Sequence, residues 1–245
     1  MATNDSSIPG QQFATTRWSI VVSAGQASSP DSQEALAKLC ETYWLPLYAY
    51  VRRRVSSVPE AQDLTQAFFV AFLEKNYAGD ADPQRGHFRA FLLTAFKHFL
   101  SKEWERARAM KRGGGQNILS LDFNRADSNL SMDPAAGLTP EQLYDQQWAI
   151  TLLERVLGRI EAEHVSDEAR IKFNTLKLFI VADQPGMNYA QCGDRLGMTE
   201  VAVRKAVSRL RSRYRDLLRA EISDTVSGPE EVDNEIHKLF AAMQL

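Results

Sequence analysis

Cysteine is scarce. The 245 residues hold two, Cys40 and Cys192, and one pair so far apart in sequence, each among small or apolar neighbours, supports neither a disulfide framework nor a zinc site. Both read as buried thiols. Long apolar runs are scarce too: the longest is Ala67–Leu73, far short of the roughly 18–20 residues that span a bilayer. The polar opening MATNDSSIPG lacks the basic-then-apolar pattern of a secretory signal, so a cytoplasmic protein without a membrane partner is expected. No useful length of sequence alternates apolar and polar residues, which argues against a sheet, and no segment repeats. His87, His98, His164 and His237 are scattered, and there is no HExxH, no GxxxxGK[ST] and no CxxC. Metal-dependent hydrolysis, phosphate-loop chemistry and dithiol chemistry therefore lack their usual residues. Serine and aspartate are abundant only where the chain reads as irregular and would hold a catalytic group poorly. No enzyme activity, metal or cofactor is expected.

What is present is charge, unevenly placed. With 24% charged residues, 44% hydrophobic residues and a formal net charge of −2, the composition fits one large or two small globular domains. Residues 97–112 carry six basic side chains against two acidic ones, +4, and residues 199–219 carry seven against two, +5. The remainder must carry −11. A chain near neutrality that gathers two basic segments some 90 residues apart is suited to touching a polyanion in two places.

The periodicity is helical throughout. Residues 1–32 read as an arm rich in Ser, Gly and Gln, with one apolar patch at Trp18–Val22. A helix follows with Leu36, Leu39, Cys40, Tyr43, Leu47 and Val51 at steps of three and four, and Pro46 is expected to kink it. Ser57 and Pro59 open a second helix that runs to about Lys75. After the loop NYAGDADPQRG, a third helix from Phe88 to about Met110 places Phe88, Leu92, Ala95, Phe96 and Phe99 on one stripe. Gly113-Gly114-Gly115 ends it, and residues 113–145 read as an acidic flexible linker. From Gln146 the stripes resume: Trp148, Leu152, Val156 and Ile160, then Ile171, Leu176, Phe179 and Ile180. The expectation is an all-α fold of two small helical domains, 33–112 and 146–223, followed by an extension at 224–245.

Near the end of the second domain, Asn188 and Gln191 form a capping-box pattern, and Tyr189, Cys192 and Leu196 share one face of the short helix they open. Gly197 supplies a turn and Thr199 caps a longer helix. Along that helix Val203, Val207, Leu210, Tyr214 and Leu217 make a narrow buried stripe, leaving Arg204, Lys205, Ser208, Arg209, Arg211, Ser212, Arg213 and Arg215 outside. A helix, a glycine turn and a longer basic helix is the layout that inserts a second helix into the DNA major groove. Arginine suits both pairing with guanine and neutralising phosphate. In the first domain, Ala61, Leu64, Phe68 and Phe72 face one way and Asp63, Gln66, Val70 and Glu74 the other, with Phe69 and Leu73 on the flanks; an apolar Val70 between aromatics and a carboxylate suits a protein contact, and a second core face fits the periodicity nearly as well. Leu93, Lys97, Leu100, Trp104 and Arg108 form a second face of the 88–110 helix, mixing aromatic and basic groups as single-strand binders do, although Trp104 taken alone reads as a core residue.

These segments resemble those of extracytoplasmic-function (ECF) sigma factors of the sigma-70 superfamily. PEAQDLTQAFFVAFLEK is similar to their region 2.2, FRAFLLTAFKHFLSKEWERARAMKRGGG to regions 2.3 and 2.4, and NYAQCGDRLGMTEVAVRKAVSRLRSRYRDLL to region 4.2, in the family's order. With TTRWS near the start, LTPEQLYDQQWAITLLERVL and the acidic tail, the chain looks most like a group common in planctomycete-type bacteria. The resemblance covers roughly residues 12–245. It implies binding to core RNA polymerase through Asp63, Leu64, Gln66, Phe68, Phe69 and Val70. It implies contact with the promoter −10 element through Asp82, Gln84, Arg85, His87, Lys97, Lys102, Trp104, Arg108, Lys111 and Arg112. At the −35 element it implies Thr199, Arg204, Lys205, Ser208, Arg209 and Arg211.

Three features depart from the family pattern. Ala67 stands where region 2.2 often has an acidic residue, the 157–173 segment is longer than typical, and residues 224–245 add a helix with Val232, Ile236, Leu239, Phe240 and Met243 as its stripe. That tail is a candidate to dock on the second domain and regulate it. The resemblance leaves room for an anti-sigma factor or another regulator as partner, and no segment here identifies one. The alternative is a helix-turn-helix regulator that binds DNA without engaging polymerase.

Overall fold

A computed structural model describes residues 30–74, 88–109, 123, 137–181, 186–223, 226 and 228–243. Among these the regular structure is helical and there is no strand. The helices are α1 (Pro30–Arg52), α2 (Val58–Glu74), α3 (Phe88–Ala109), α4 (Pro140–Ala162), α5 (Asp167–Leu176), α6 (Leu178–Val181), α7 (Tyr189–Leu196), α8 (Glu200–Ser223) and α9 (Val232–Met243), with a 3₁₀ turn at Pro229–Glu231. No helix among the described residues is long and apolar enough to cross a membrane. The Trp18–Val22 patch, the 76–86 loop and Gly113–Gly115 lie outside the described residues.

Local chemistry sets the ends. The Ser57 hydroxyl accepts a hydrogen bond from the Glu60 amide at 3.3 Å, opening α2. Thr139 and Gln142 form a reciprocal capping box, so α4 begins at Pro140 rather than near 146. Proline at that position has no N–H to waste. Helix α1 passes through Pro46 without interruption.

One core joins nearly all of these elements. Tyr43, Leu47, Tyr48, Tyr50 and Val51 of α1 meet Phe68, Phe69 and Phe72 of α2, Phe88, Leu92, Phe96 and Leu100 of α3, and Tyr144, Trp148, Leu152, Val156 and Ile160 of α4. It is strongly aromatic. Phe68 lies 4.8 Å from Phe96 and 5.6 Å from Phe99, ring centre to ring centre, distances at which edge-to-face pairs add to simple burial. Phe123, inside the expected linker, is buried between Trp44 and Tyr48 at 5.5 and 5.0 Å, so that stretch has at least one fixed point.

Helix α4 packs on α1 and also meets α8 and α9. The same cluster continues through Leu217, Leu218 and Ile222 of α8 to Val232 and Leu239 of α9. Polar ties follow this path. Arg155 of α4 donates to Thr42 Oγ1 at 2.6 Å, and Arg159 pairs with the buried Glu221 of α8. Helix α9 folds back so that Glu235, with 0% of its side chain exposed, lies 2.6 Å from Nε of Arg89 in α3. Arg89 also pairs with Asp145, sits 4.6 Å above the Trp148 ring, and its carbonyl accepts from Tyr144 Oη at 3.0 Å.

Two expected stripes need correction. Ile171 is 62% exposed, and Phe173 takes its place in the core, stacked on His164 at 5.0 Å. In α9, Phe240 and Met243 are exposed, and the buried side is Val232, Glu235, Leu239 and Ala242. The tail therefore docks chiefly on α4 and reaches α3, its ion pair with Arg89 allowing a charged residue to occupy a core position.

Candidate nucleic-acid interface

The second core cluster is small and joins the end of α5, α6, α7, the turn after it and the first half of α8. Leu176, Phe179, Cys192, Val203, Ala206 and Val207 are buried there, with Tyr189, Leu196, Met198 and Leu210 around them. Burial pushes the Cys192 thiol above its ordinary range, as expected of an inert packing group. The Asn188 side chain accepts from the Gln191 amide and the Gln191 side chain from the Asn188 amide, both at 2.9 Å. Gly197 ends α7 with φ +63°, the left-handed conformation that costs glycine least. The Met198 amide donates to the Gly193 carbonyl at 2.9 Å.

Gly193 carries a signal that periodicity does not show. A Cβ on it would lie 2.5 Å from the Met198 carbonyl oxygen, closer than any side chain tolerates. The turn can pass this near to α7 only because residue 193 has no side chain. Thr199 Oγ1 then accepts from the Ala202 amide at 3.2 Å and starts α8. The buried stripe of α8 is the expected one, with Leu210 and Tyr214 only half-buried.

The opposite face of α8 is open. Thr199, Arg204, Lys205, Ser208, Arg209 and Arg211 are all exposed, but their surroundings differ. Arg204 is held in place: Nε and Nη2 donate to Glu200 Oε1 at 3.0 and 2.6 Å, and its guanidinium lies 4.5 Å from the Tyr189 ring. Tyr189 in turn stacks on Phe179 at 4.7 Å, so the cation caps an aromatic pile rooted in the core. Arg211 donates from Nη2 to the Phe179 carbonyl at 2.8 Å, which makes it a brace of the hairpin as well as a surface charge. Arg213, on the flank, pairs with Glu163, and that bond holds the Glu163 carboxyl below its ordinary range. The outward cations ahead of that flank, from Arg204 to Arg209, suit a phosphate-lined groove.

The first-half residues are arranged otherwise. Asp63 is exposed, and Leu64 and Val70 are half-buried. Gln66, Phe68 and Phe69 are buried, so the α2 surface is Asp63, Leu64, Ala67 and Val70, and the two phenylalanines support it from beneath. This corrects their expected place on the contact surface. A helix packed against both α1 and α3 must bury more than one stripe.

On α3, Lys102 and Arg108 are exposed. Lys97 pairs with Glu141 of α4 at 2.7 Å, and Trp104 packs against the core beneath the Arg54 guanidinium at 5.0 Å. Leu100, expected on the outer face, is fully buried. Asp82, Gln84, Arg85, His87, Lys111 and Arg112 lie outside the described residues. Sequence reasoning did not find Arg89, which α4 and α9 enclose, or Tyr189 as the platform for Arg204. The first needs a partner 146 residues away.

The family described as ECF sigma factor matches residues 25–220, a span that includes α1 to α7 and most of α8. No curated protein and no solved structure matches the chain.

Proposed function

The chain belongs to the ECF sigma factor family, whose members act in transcription initiation by binding core RNA polymerase and promoter DNA, and from that premise we propose that its two halves divide the promoter. Helix α8 enters the major groove of the −35 element, with Arg204, Lys205, Ser208 and Arg209 towards the DNA and Thr199 and Arg211 at the edges of the contact. Helix α3, through Lys97, Lys102, Trp104 and Arg108, together with Asp82, Gln84, Arg85, His87, Lys111 and Arg112, holds the opened strand of the −10 element. The α2 surface around Asp63, Leu64 and Val70 meets polymerase. The polymerase does the phosphoryl chemistry, and the chain itself catalyses nothing. Within the family, the sequence motifs named above favour the planctomycete-type group.

The observation that carries this reading is the outward face of α8, where Arg204 is pre-oriented by Glu200 and Tyr189. Fixing an arginine before it meets a base removes part of the ordering cost of binding. The test is run-off transcription from a library of genomic fragments with purified core polymerase, with and without the chain. New starts that depend on the chain and share two spaced upstream elements are expected. Asp63→Ala should reduce polymerase affinity without changing the melting temperature, since Asp63 is exposed. DNA binding with no new starts would replace this reading by that of a regulator that does not engage polymerase.

A further inference from the structure

The α8 face described above contains one residue out of keeping with it. Val201 is 62% exposed in the first turn of the helix, two residues after the Thr199 cap. At 3.6 residues per turn it lies about 180° from Leu210, the middle of the buried stripe. It therefore sits at the centre of the face that carries Lys205, Ser208 and Ser212, with Arg204 and Arg209 on either side. A single exposed valine on a protein surface means nothing by itself. This one is a stiff, β-branched group placed between cations, in the part of the helix that reaches deepest into a groove.

We propose that Val201 reads the C5-methyl group of one thymine in the −35 element, beside the base contacted by Arg204 or Lys205. The inference rests on α8 being the groove-inserted helix. Thymine is the base that presents a methyl group in the major groove, and apolar side chains are what recognise it. The neighbouring charges do not compete for that position. Arg204 is drawn aside towards Tyr189 by 4.5 Å stacking and by Glu200, and Lys205 follows one turn later with a long stem. With χ1 restricted by branching, Val201 loses little freedom when it packs on a methyl group.

The test uses the full chain assembled with core polymerase. Bound duplexes are first selected from a pool randomised upstream of the start, which defines the −35 element. Each thymine in it is then replaced by deoxyuridine, which lacks only the methyl group. Uracil at one position is expected to weaken binding about three- to fivefold, the effect of one buried methyl-sized contact. Val201→Ala should weaken the thymine duplex by the same factor and leave the uracil duplex unchanged, with the same salt dependence. Val201→Thr, which keeps the branched shape and one methyl group, should retain the discrimination. Equal affinity for thymine and uracil at every position overturns the proposal, as does a uracil penalty that persists in Val201→Ala. In both cases selective binding to the element would leave the assignment of α8 standing. Failure to select any upstream element would remove that assignment and the thymine contact together.

Discussion

The two basic segments of this chain, α3 and α8, have similar charge and opposite circumstances. On α8 Lys205 and Arg209 are exposed, and Arg204 is paired with Glu200 of its own helix and rests on the Tyr189 ring. On α3 two cations are engaged by other elements, Arg89 between Asp145 of α4 and Glu235 of α9 and Lys97 by Glu141 of α4, while Lys102 and Arg108 further along are exposed. A basic helix is thus not one kind of object. On the proposed reading α8 meets duplex DNA with only a pair inside its own helix to rearrange, at Arg204, whereas Lys97 must exchange a carboxylate from another helix for a phosphate before it can touch a strand. On the proposed reading, Glu141 near the start of α4 occupies one of the α3 positions, Lys97, that nucleic acid would take.

The contact that most firmly separates the two regions is the buried one. Burial opposes the charge on Arg89, and the carboxylates of Glu235 and Asp145 more than offset it, raising its pKa. Asp145 pays in the other direction, its own pKa raised by burial despite Arg89. Glu235→Ala should leave a buried guanidinium short of a partner and lower stability by about 3–5 kcal/mol, read from urea denaturation with an unchanged m-value. Replacing Arg89 and Glu235 together by Met and Leu should restore much of that loss. If Glu235→Ala is neutral, α9 does not hold α3 and α4 together, and the contrast with α8 rests on Lys97 and Glu141 alone.

On the other side, Arg204 and Arg211 should behave differently despite standing on one helix. Arg204→Ala should cost about 1–3 kcal/mol of affinity for the selected −35 duplex where it reads a base, or lower the salt slope by about one where it meets phosphate, with no change in melting temperature. Arg211→Ala should cost about 1 kcal/mol of stability through the lost bond to the Phe179 carbonyl. Titration of both variants with duplex at several salt concentrations, beside thermal melts, separates them. Equal losses of affinity with equal stability would mean that the brace on Arg211 does not distinguish it.

This difference between regions also set what could be read from the sequence. Trp148, Leu152, Val156 and Ile160 were legible because α4 buries one clear stripe, and all four are buried. The hairpin of α7 and α8 was legible because its caps and its glycine turn are local: Asn188, Gln191, Gly197 and Thr199 act within a few residues. Phe68, Phe69 and Gln66 were not, because α2 is covered on more than one side and apolar residues at neighbouring helical positions look the same whether a polymerase or another helix covers them. Glu235 was illegible for a related reason. A carboxylate in an apolar stripe marks a solvent-facing position unless its cation is known, and here that cation, Arg89, comes from a distant helix.

The smallest expected effect concerns the pair that most directly covers α3. The hydrogen bond from Lys97 holds the Glu141 carboxyl below its ordinary value of 4.5. A carboxyl with a depressed folded pKa contributes stability that is fully present above its unfolded pKa and is lost as pH falls through the folded one. Glu163, held down by Arg213, has the same sign. Asp145, raised by burial, has the opposite sign and offsets part of the acid loss, since the folded state then binds its proton more tightly than the unfolded chain. Both partners of the Lys97–Glu141 pair are more than a third exposed, so solvent limits its worth to about 1 kcal/mol or less. Glu141→Gln should therefore leave the melting temperature at pH 7 almost unchanged and flatten its fall below pH 4.5, and 0.5 M salt, an ionic strength at which the screening length is only about 4 Å, should erase the difference from the parent chain. The same substitution frees Lys97 and should strengthen binding of the assembled polymerase complex to single-stranded −10 sequence while leaving duplex −35 binding alone. An acid limb identical to the parent's, with no gain for the single strand, would show that Glu141 does not cover Lys97, and the contrast between α3 and α8 would then rest on Arg89 alone.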